Sequence, residues 1–243
     1  MISVCMATYN GEKFIKEQID SILKQIGPND EMVISDDGST DNTLHIIKQI
    51  GDKRIKVYIN EGTHGFTHNF ENALVNAHGD YIFLTDQDDL WLDNKVKVVM
   101  NALKKYDFVI HDCITIDSNM NVLSESRYDD FNIRPGFFRH LLKSRYLGCC
   151  MAFNRNILEV SLPFPKNDFL IEHDIWLPAI AFAYFKVIQI PDKLIYYRRH
   201  GNNASSGGFN KGYSLQVKLK KRLYRLFCLF KIRNKIKHII KEN

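Results

Sequence analysis

Three carboxylates stand within four residues at Asp86-Gln87-Asp88-Asp89, directly after Tyr81-Ile82-Phe83-Leu84, an apolar run that reads as a buried strand. Like charges this close raise one another's pKa or drive disorder unless a cation is shared between them. Hard oxygen donors suit Mg²⁺ or Mn²⁺, and such a cation at the edge of an α/β sheet usually has a phosphate on its other side. The stretch is expected to be a metal–diphosphate site. The plainer reading is a solvated acidic turn, with Asp89 capping the helix that follows. A second acidic pair, Asp36-Asp37, opens an Asp-Asp-Gly-Ser segment after Met32-Val33-Ile34. Asp37 could accept the imide N–H of a pyrimidine while Tyr9 supplies an aromatic face for the ring. Asp86 could then take ribose hydroxyls and leave Asp88 to hold the metal. Because Asp, Gly and Ser are all turn formers, an Asx-capped turn explains the same segment equally well when it is taken alone.

The elements that must position these groups alternate. Ile2 to Ala7 reads as a strand, and Ile15, Ile19, Ile22 and Ile26 mark one helical face after it. Gly27-Pro28-Asn29-Asp30 ends that helix before the second strand, Met32 to Ile34. Ser39-Thr40-Asp41 offers caps to a helix carrying Leu44, Ile47 and Ile50. Ile55 to Ile59 reads as a strand, Phe66 to Ala77 as a helix, and Val96 to Leu103 as another helical stripe before a strand at Phe108 to Ile110. This rhythm predicts an α/β fold, a mostly parallel sheet with helices on both faces and ligands at the carboxyl ends of its strands. Those ends carry Thr8-Tyr9-Asn10, Ser35 to Gly38 and Asp86 to Asp89. The second half is less regular. A hairpin is expected around Ser118-Asn119, strands at Gly148 to Phe153, Lys186 to Ile190 and Leu194 to Tyr197, a helix at Ile175 to Phe182, and a flexible loop at Gly201 to Gly212.

Hydrophobic content of 45% and charged content of 25% are those of a globular protein large enough to bury a substantial core. The net charge of +5 hides an asymmetry, because residues 211–243 carry eleven Lys/Arg and one acidic residue. Five cysteines without CxxC spacing argue for small core residues rather than a disulfide framework or a metal set. Met1 to Met6 lacks the basic start and apolar length of a secretory signal, and no apolar run reaches the length of a membrane span. The expected setting is cytoplasmic and reduced.

Val4 to Gly11, Ser35 to Thr43 and Thr85 to Trp91, in this order and spacing, resemble the family 2 glycosyltransferases with the GT-A fold, a Rossmann-like architecture. The resemblance covers residues 1 to about 205, and the three motifs together are highly specific. The Asp-Gln-Asp-Asp-x-Trp variant, which includes Trp91, is similar to the bacterial subgroup that builds O-antigen, capsule and rhamnose-rich polysaccharides. The resemblance implies that Thr8, Tyr9, Asn10 and Asp37 contact the nucleotide, Asp86 the ribose or diphosphate region, and Asp88 the Mn²⁺ or Mg²⁺ ion. It also implies that Glu172-His173-Asp174-Ile175-Trp176 supplies the catalytic base, Asp174, for a single displacement with inversion. Alternatively, Asp174 caps a helix starting at Ile175. His200 is expected as a further metal ligand, and Arg199, Glu172 and Trp91 as diphosphate or acceptor contacts. Some relatives place an Arg in the segment equivalent to Gly62–Asn69, where this chain offers only His64, His68 and Asn69.

The division expected is a catalytic domain at 1–210, nucleotide-binding over 1–111 and acceptor-binding over 112–210, followed by a basic amphipathic helix in 211–243. In that helix Leu219, Leu223, Leu226, Phe230 and Ile236 recur at near-helical spacing among lysines and arginines. The stripe suits a membrane surface or packing on the domain; without aromatic interleaving or a known module, nucleic acid is not an expected partner. The expected reaction moves a sugar from a nucleoside-diphosphate sugar, dTDP-rhamnose or a UDP-hexose, to a glycan or polyprenyl-linked glycan at the inner face of the cell membrane. A sugar-nucleotidyltransferase would want a glycine-rich basic loop after its first strand, which Ala7 to Glu12 is not. A glycan-binding module with a lapsed site would have lost an acidic motif, yet Asp37, Asp88 and Asp174 are all present.

Overall fold

Val4, Cys5 and Met6 are consecutive and wholly buried, so the strand that holds them, β1 (Ile2–Thr8), has no solvent face and must be covered by helices on both sides. The computed structural model describes residues 1–201, 203 and 213–241. From β1 the chain enters α1 (Ile15–Leu23), whose Ile15, Ile19 and Ile22 form one buried face. It continues through β2 (Glu31–Asp36), α2 (Thr43–Ile50), β3 (Ile55–Ile59), α3 (Phe66–Val75) and β4 (Tyr81–Asp86). Gly51, at φ +67°, closes α2 in the left-handed conformation that a Cβ disfavours. The four strands pair in parallel in the order β3-β2-β1-β4. Thr8 lies beside Asp36, and Ala7 beside Asp86, so the loops after β1, β2 and β4 leave the sheet side by side.

Beyond β4 follow β5 (Leu90–Trp91), α4 (Lys95–Leu103), β6 (Phe108–Asp117), β7 (Val122–Ser124), α5 (Arg127–Phe131), α6 (Phe137–Leu142), β8 (Met151–Asn154), α7 (Arg155–Ser161), α8 (His173–Tyr184), β9 (Val187–Arg199) and α9 (Leu215–Lys241). The sheet extends as β4-β8-β6-β9-β5, with β8 and β5 antiparallel to their neighbours and β7 hairpinned onto β6. The mostly parallel α/β sheet expected from the alternation is therefore the one that forms.

Several boundaries differ from expectation. Gly148–Cys150 is a 3-10 turn, and the strand begins only at Met151. Lys186 to Ile190 and Leu194 to Tyr197 join into the single strand β9, in which Pro191 and Asp192 are passed over as the register jumps from His111–Ile190 to Asp112–Lys193. Proline cannot donate to a ladder, so a bulge is where the sheet can accommodate it. The expected helix at Ile175 starts two residues earlier, with Glu172 as its cap residue. The expected loop at Gly201 to Gly212 lies outside the described residues apart from Gly201 and Asn203.

The C-terminal helix packs on the domain along one face. Cys228, Leu229 and Ile236 join the hydrophobic core, and Tyr184 donates its hydroxyl to the carbonyl of Leu229 at 3.0 Å. The stripe expected from sequence is split by this packing: Ile236 is buried, whereas Leu219, Leu223, Leu226 and Phe230 face outward.

Candidate active site

The loop after β2 divides its two carboxylates between structure and cleft. Asp36 is wholly buried and accepts hydrogen bonds from Thr8 Oγ1, Ser39 Oγ and the backbone amides of Gly38 and Ser39, so it is the Asx cap of the turn. Asp37 lines the cleft instead, held by Asn60 Nδ2 at 2.8 Å, the amide of Gly65 at 2.8 Å and the ring of His64 at 3.0 Å. Gln87 clamps the facing loop: its side-chain oxygen accepts from the Tyr9 amide and its nitrogen donates to the Tyr9 carbonyl. The Tyr9 ring is left exposed at the cleft mouth, where a planar base could stack.

The acidic cluster after β4 is anchored from β9. Asp88 accepts from His200 Nε2 at 2.8 Å and Asn203 Nδ2 at 3.0 Å, and its carbonyl accepts from Arg198 Nε at 2.9 Å. Asp89 does not cap a helix: α4 begins only at Lys95, and Asp89 Oδ1 accepts the Arg198 amide while its other oxygen has no partner among the described residues. Burial and the neighbouring charge of Asp88 raise the Asp86 carboxyl to about 7. Burial and the charges of Asp86 and Asp88 hold Asp89 well above the usual carboxylate range. Ligating atoms of Asp86, Asp89 and Cys149 lie within 4.8 Å of one another. A crowd of buried carboxyls with an orphaned oxygen is what a divalent cation would relieve, so the residues fit the expected metal. Asp88 and His200, an oxygen and a nitrogen donor already in contact, are the pair that would hold it.

Asp174 completes the cleft from α8. It sits inside the first turn rather than at the cap, which removes the helix-cap reading, and its Oδ1 is buried without a partner among the described residues. Burial first, then the charges of Glu172 and Asp86, push its carboxyl up to about 8, while Arg127 and Arg225 act the other way. Glu172 is likewise raised by burial. Between them His173 is buried and held neutral, its pKa near 3, with its ring 4.3 Å from that of Phe70. Gly148 makes room for it, since a Cβ there would lie 2.6 Å from His173 Nε2.

The cleft has a volume of about 670 Å³, within the range of small-molecule sites, and gathers Thr8, Tyr9, Asp37, Asp86, Asp88, Glu172 and Asp174. Other expected residues lie apart from its lining. Asn10 adopts φ +50° and ties two loops, accepting from the Thr40 amide at 2.8 Å. Trp91 is in the core, its indole N–H bonded to Thr85 Oγ1 and its ring 4.1 Å beneath Lys95 Nζ. Arg199 donates to the hydroxyl of Tyr197. The arginine that serves the acidic cluster is its neighbour Arg198, buried and also paired with Glu17 at 2.8 Å. Arg198 and Arg199 are the last two residues of β9, so their side chains leave opposite faces of the strand. Asn60, which fixes Asp37, and Asn203, which fixes Asp88, carried no motif that would have singled them out.

Comparison with known proteins agrees with this geometry. The family model described as Glycosyl transferase family 2 matches residues 3–162. The chain is 27% identical over 215 residues to the Escherichia coli UDP-Glc:alpha-D-GlcNAc-diphosphoundecaprenol beta-1,3-glucosyltransferase WfgD, covering 87% of this chain and 82% of that one. Among solved structures it superposes on S. aureus TarS 1-349 in complex with UDP-GlcNAc with a TM-score of 0.68 at 20% identity, covering 96% of this chain and 71% of that one. It also superposes on the mannosyltransferase PcManGT of Pyrobaculum calidifontis, in complex with GDP-Man and Mn²⁺, with a TM-score of 0.63 at 19% identity, covering 99% and 74%. Acidic strand ends of a mostly parallel sheet, a buried carboxyl in the same cleft and a family match over residues 3–162 lead to one assignment: the chain belongs to glycosyl transferase family 2 and is a glycosyltransferase with the GT-A fold.

Proposed function

We propose that this enzyme transfers a hexose from a nucleoside-diphosphate sugar to a lipid-linked bacterial surface glycan by single displacement with inversion. The observation that carries the reading is the raised carboxyl of Asp174, whose Oδ1 is buried without a partner among the described residues, in the cleft that Asp37, Asp86 and Asp88 also line. Asp37 accepts the imide N–H of the base, Tyr9 stacks on it, and Asp86 binds the ribose. Asp88 and His200 would hold Mn²⁺ or Mg²⁺, which when bound supplies charge neutralisation to the leaving diphosphate. Asp174 takes the proton of the acceptor hydroxyl as that oxygen bonds to the anomeric carbon and the electron pair of the breaking C–O bond leaves with the diphosphate. A base with pKa near 8 is matched to this task near neutral pH. Glu172 and the backbone around Gly148 line the acceptor side.

A UDP-hexose donor and a polyprenyl-diphosphate acceptor are supported by the activity of the E. coli relative WfgD, with dTDP-rhamnose as the competing donor. The setting proposed is cytoplasmic and peripheral to the membrane; the five cysteines are free and buried, and no described helix is long and apolar enough to cross a bilayer.

Nucleotide release from UDP-glucose, UDP-galactose and dTDP-rhamnose, with Mn²⁺ or Mg²⁺ and a GlcNAc-diphospholipid acceptor, tests the reading. One donor should turn over, turnover should stop in EDTA, and Asp88→Ala should abolish it. Asp174→Asn should keep donor binding and lose transfer by about a thousandfold or more, the scale of a lost general base together with its charge. Failure of every nucleotide to bind, with or without metal, would make the acidic strand ends structural and end the proposal.

A further inference from the structure

The outward face of α9 is the reverse of what water asks of a helix. Leu219, Leu223, Phe227 and Phe230 project from it and are each more than half exposed, with Leu223 at 58% and Phe230 at 63%. A helix lying on a domain normally turns its apolar stripe inward and its charges outward. Here the inward stripe is already complete, because Cys228, Leu229 and Ile236 are buried on the opposite side. The helix therefore carries two apolar faces, one satisfied and one not.

At 1.5 Å rise per residue the outer apolar strip runs about 17 Å from Leu219 to Phe230. Lys220 and Lys231 flank it on one side, and Arg222 and Arg233 on the other. Lys231 Nζ lies 4.5 Å from the centre of the Phe227 ring and the Arg233 guanidinium 4.9 Å from that of Phe230, so basic heads ride at the edges of the apolar strip. The surface continues onto α6, where Phe138 is 76% exposed and where Arg222 donates to the carbonyl of Leu142 at 2.9 Å. An apolar strip rimmed by cations complements a bilayer with anionic headgroups, which takes the rings and the charges together. It does not complement a second copy of itself, because residues 211–243 carry eleven basic side chains against one acidic and would repel their like.

We propose that this face of α9, with the adjoining edge of α6, docks the enzyme on an anionic lipid surface. The binding is a property of the helix and stands whether or not the donor has been identified; only its purpose, delivery of a lipid-linked acceptor, rests on the function proposed above. The inner face of the same helix reaches the base through Arg225, which donates to the carbonyl of His140, whose ring in turn is 2.9 Å from the carbonyl of Ile175, next to Asp174.

Co-sedimentation of the full chain with vesicles of phosphatidylcholine alone, or mixed with phosphatidylglycerol, is the test. The wild type should bind the mixed vesicles at least about tenfold more tightly and release in high salt. Leu223→Ser/Phe227→Ser/Phe230→Ser should lose binding to both by about tenfold or more, while Lys220→Gln/Lys231→Gln/Arg233→Gln should lose the preference for anionic lipid. All these side chains are exposed, so melting curves should match the wild type and certify the fold. Donor hydrolysis without vesicles should be unchanged in both variants, which separates this proposal from the transfer reaction. Equal sedimentation of the wild type and the serine variant would overturn it. So would a concentration-dependent dimer that the serine variant abolishes, because the face would then belong to a second copy.

Discussion

Asp174 is the residue on which stability and activity pull in opposite directions. Its carboxyl, at about 8 in the fold, returns to the ordinary 3.8 when the chain unfolds. Between those values the folded protein keeps a proton that the unfolded chain has released. The stability from this group is therefore whole below about pH 4 and is lost as pH rises through about 8. The proton transfer proposed for it needs the opposite, ionised form. Asp174→Asn stays neutral, so in EDTA it should melt several degrees above the wild type near pH 9, with the gap narrowing steadily towards about pH 4. Thermal melts across that range check it, and a gap independent of pH would show that Asp174 is not the buried acid described. Asp37, Asp86, Asp88 and Asp174 were legible in the sequence because each follows an apolar strand or precedes an apolar helix, where a carboxylate needs a reason. Asn10 and Trp91 stand in the same motifs but serve the loop and the core. A motif records that a residue matters to the site, without separating contact from support. Arg198 was passed over for Arg199 because the parity of β9 depends on the bulge at Pro191-Asp192, and no local signal sets that register.

At the scale of elements, α8 is held by its neighbours more than by its own first turn. Pro178 has no amide hydrogen, so the carbonyl of Asp174 lacks the helical donor four residues on. The ring of His140, neutral with its pKa pushed to about 3 by burial, donates to the next carbonyl, that of Ile175, and Arg225 of α9 holds the His140 carbonyl. Arg225 also lowers the Asp174 carboxyl through its charge. Arg225→Leu should reduce kcat about tenfold with little change in donor KM, and should move the rising limb of the pH–rate profile to higher pH. Arg225→Lys should restore part of the pH shift but less of kcat, since an ammonium replaces the charge without the planar donor geometry. A purely structural role would lower activity equally at every pH. None of this could be read from sequence: the first half of the fold follows hydrophobic period, but α5, α6 and α7 are each seven residues or fewer, too short for a periodic signal to rise above chance.

For the whole molecule the question is whether residues 211–243 are an appendage, as their charge suggests, or a wall of the catalytic domain. Charge and periodicity disclosed an amphipathic helix, and the helix that forms packs one face on the domain and turns the other outward. Two faces on one helix defeat a single-stripe analysis, because apolar residues then occur all round and the period blurs. The inner face makes a quantitative claim. Burial of Cys228, Leu229 and Ile236 removes three apolar side chains from water, with about 1.5–3 kcal/mol for each of the larger two. Against a typical stability of about 5–15 kcal/mol, removing the helix would take a large share. A chain ending at residue 210 should therefore melt roughly ten degrees or more below the full protein, or fail to fold, and bind donor weakly if it is recovered. The serine variant of the outer face should melt with the wild type yet leave the lipid. If the shortened chain instead keeps its melting temperature, the contacts from Arg225 to His140 and from Tyr184 to Leu229 carry no stability, and α9 is an appendage after all. If both variants lose stability together, the outer strip is buried in the folded protein and cannot be the face that meets a bilayer. Only a split between the two, fold lost with the helix and lipid lost with its outer side chains, is consistent with a helix that closes the domain on one side and docks it on the other.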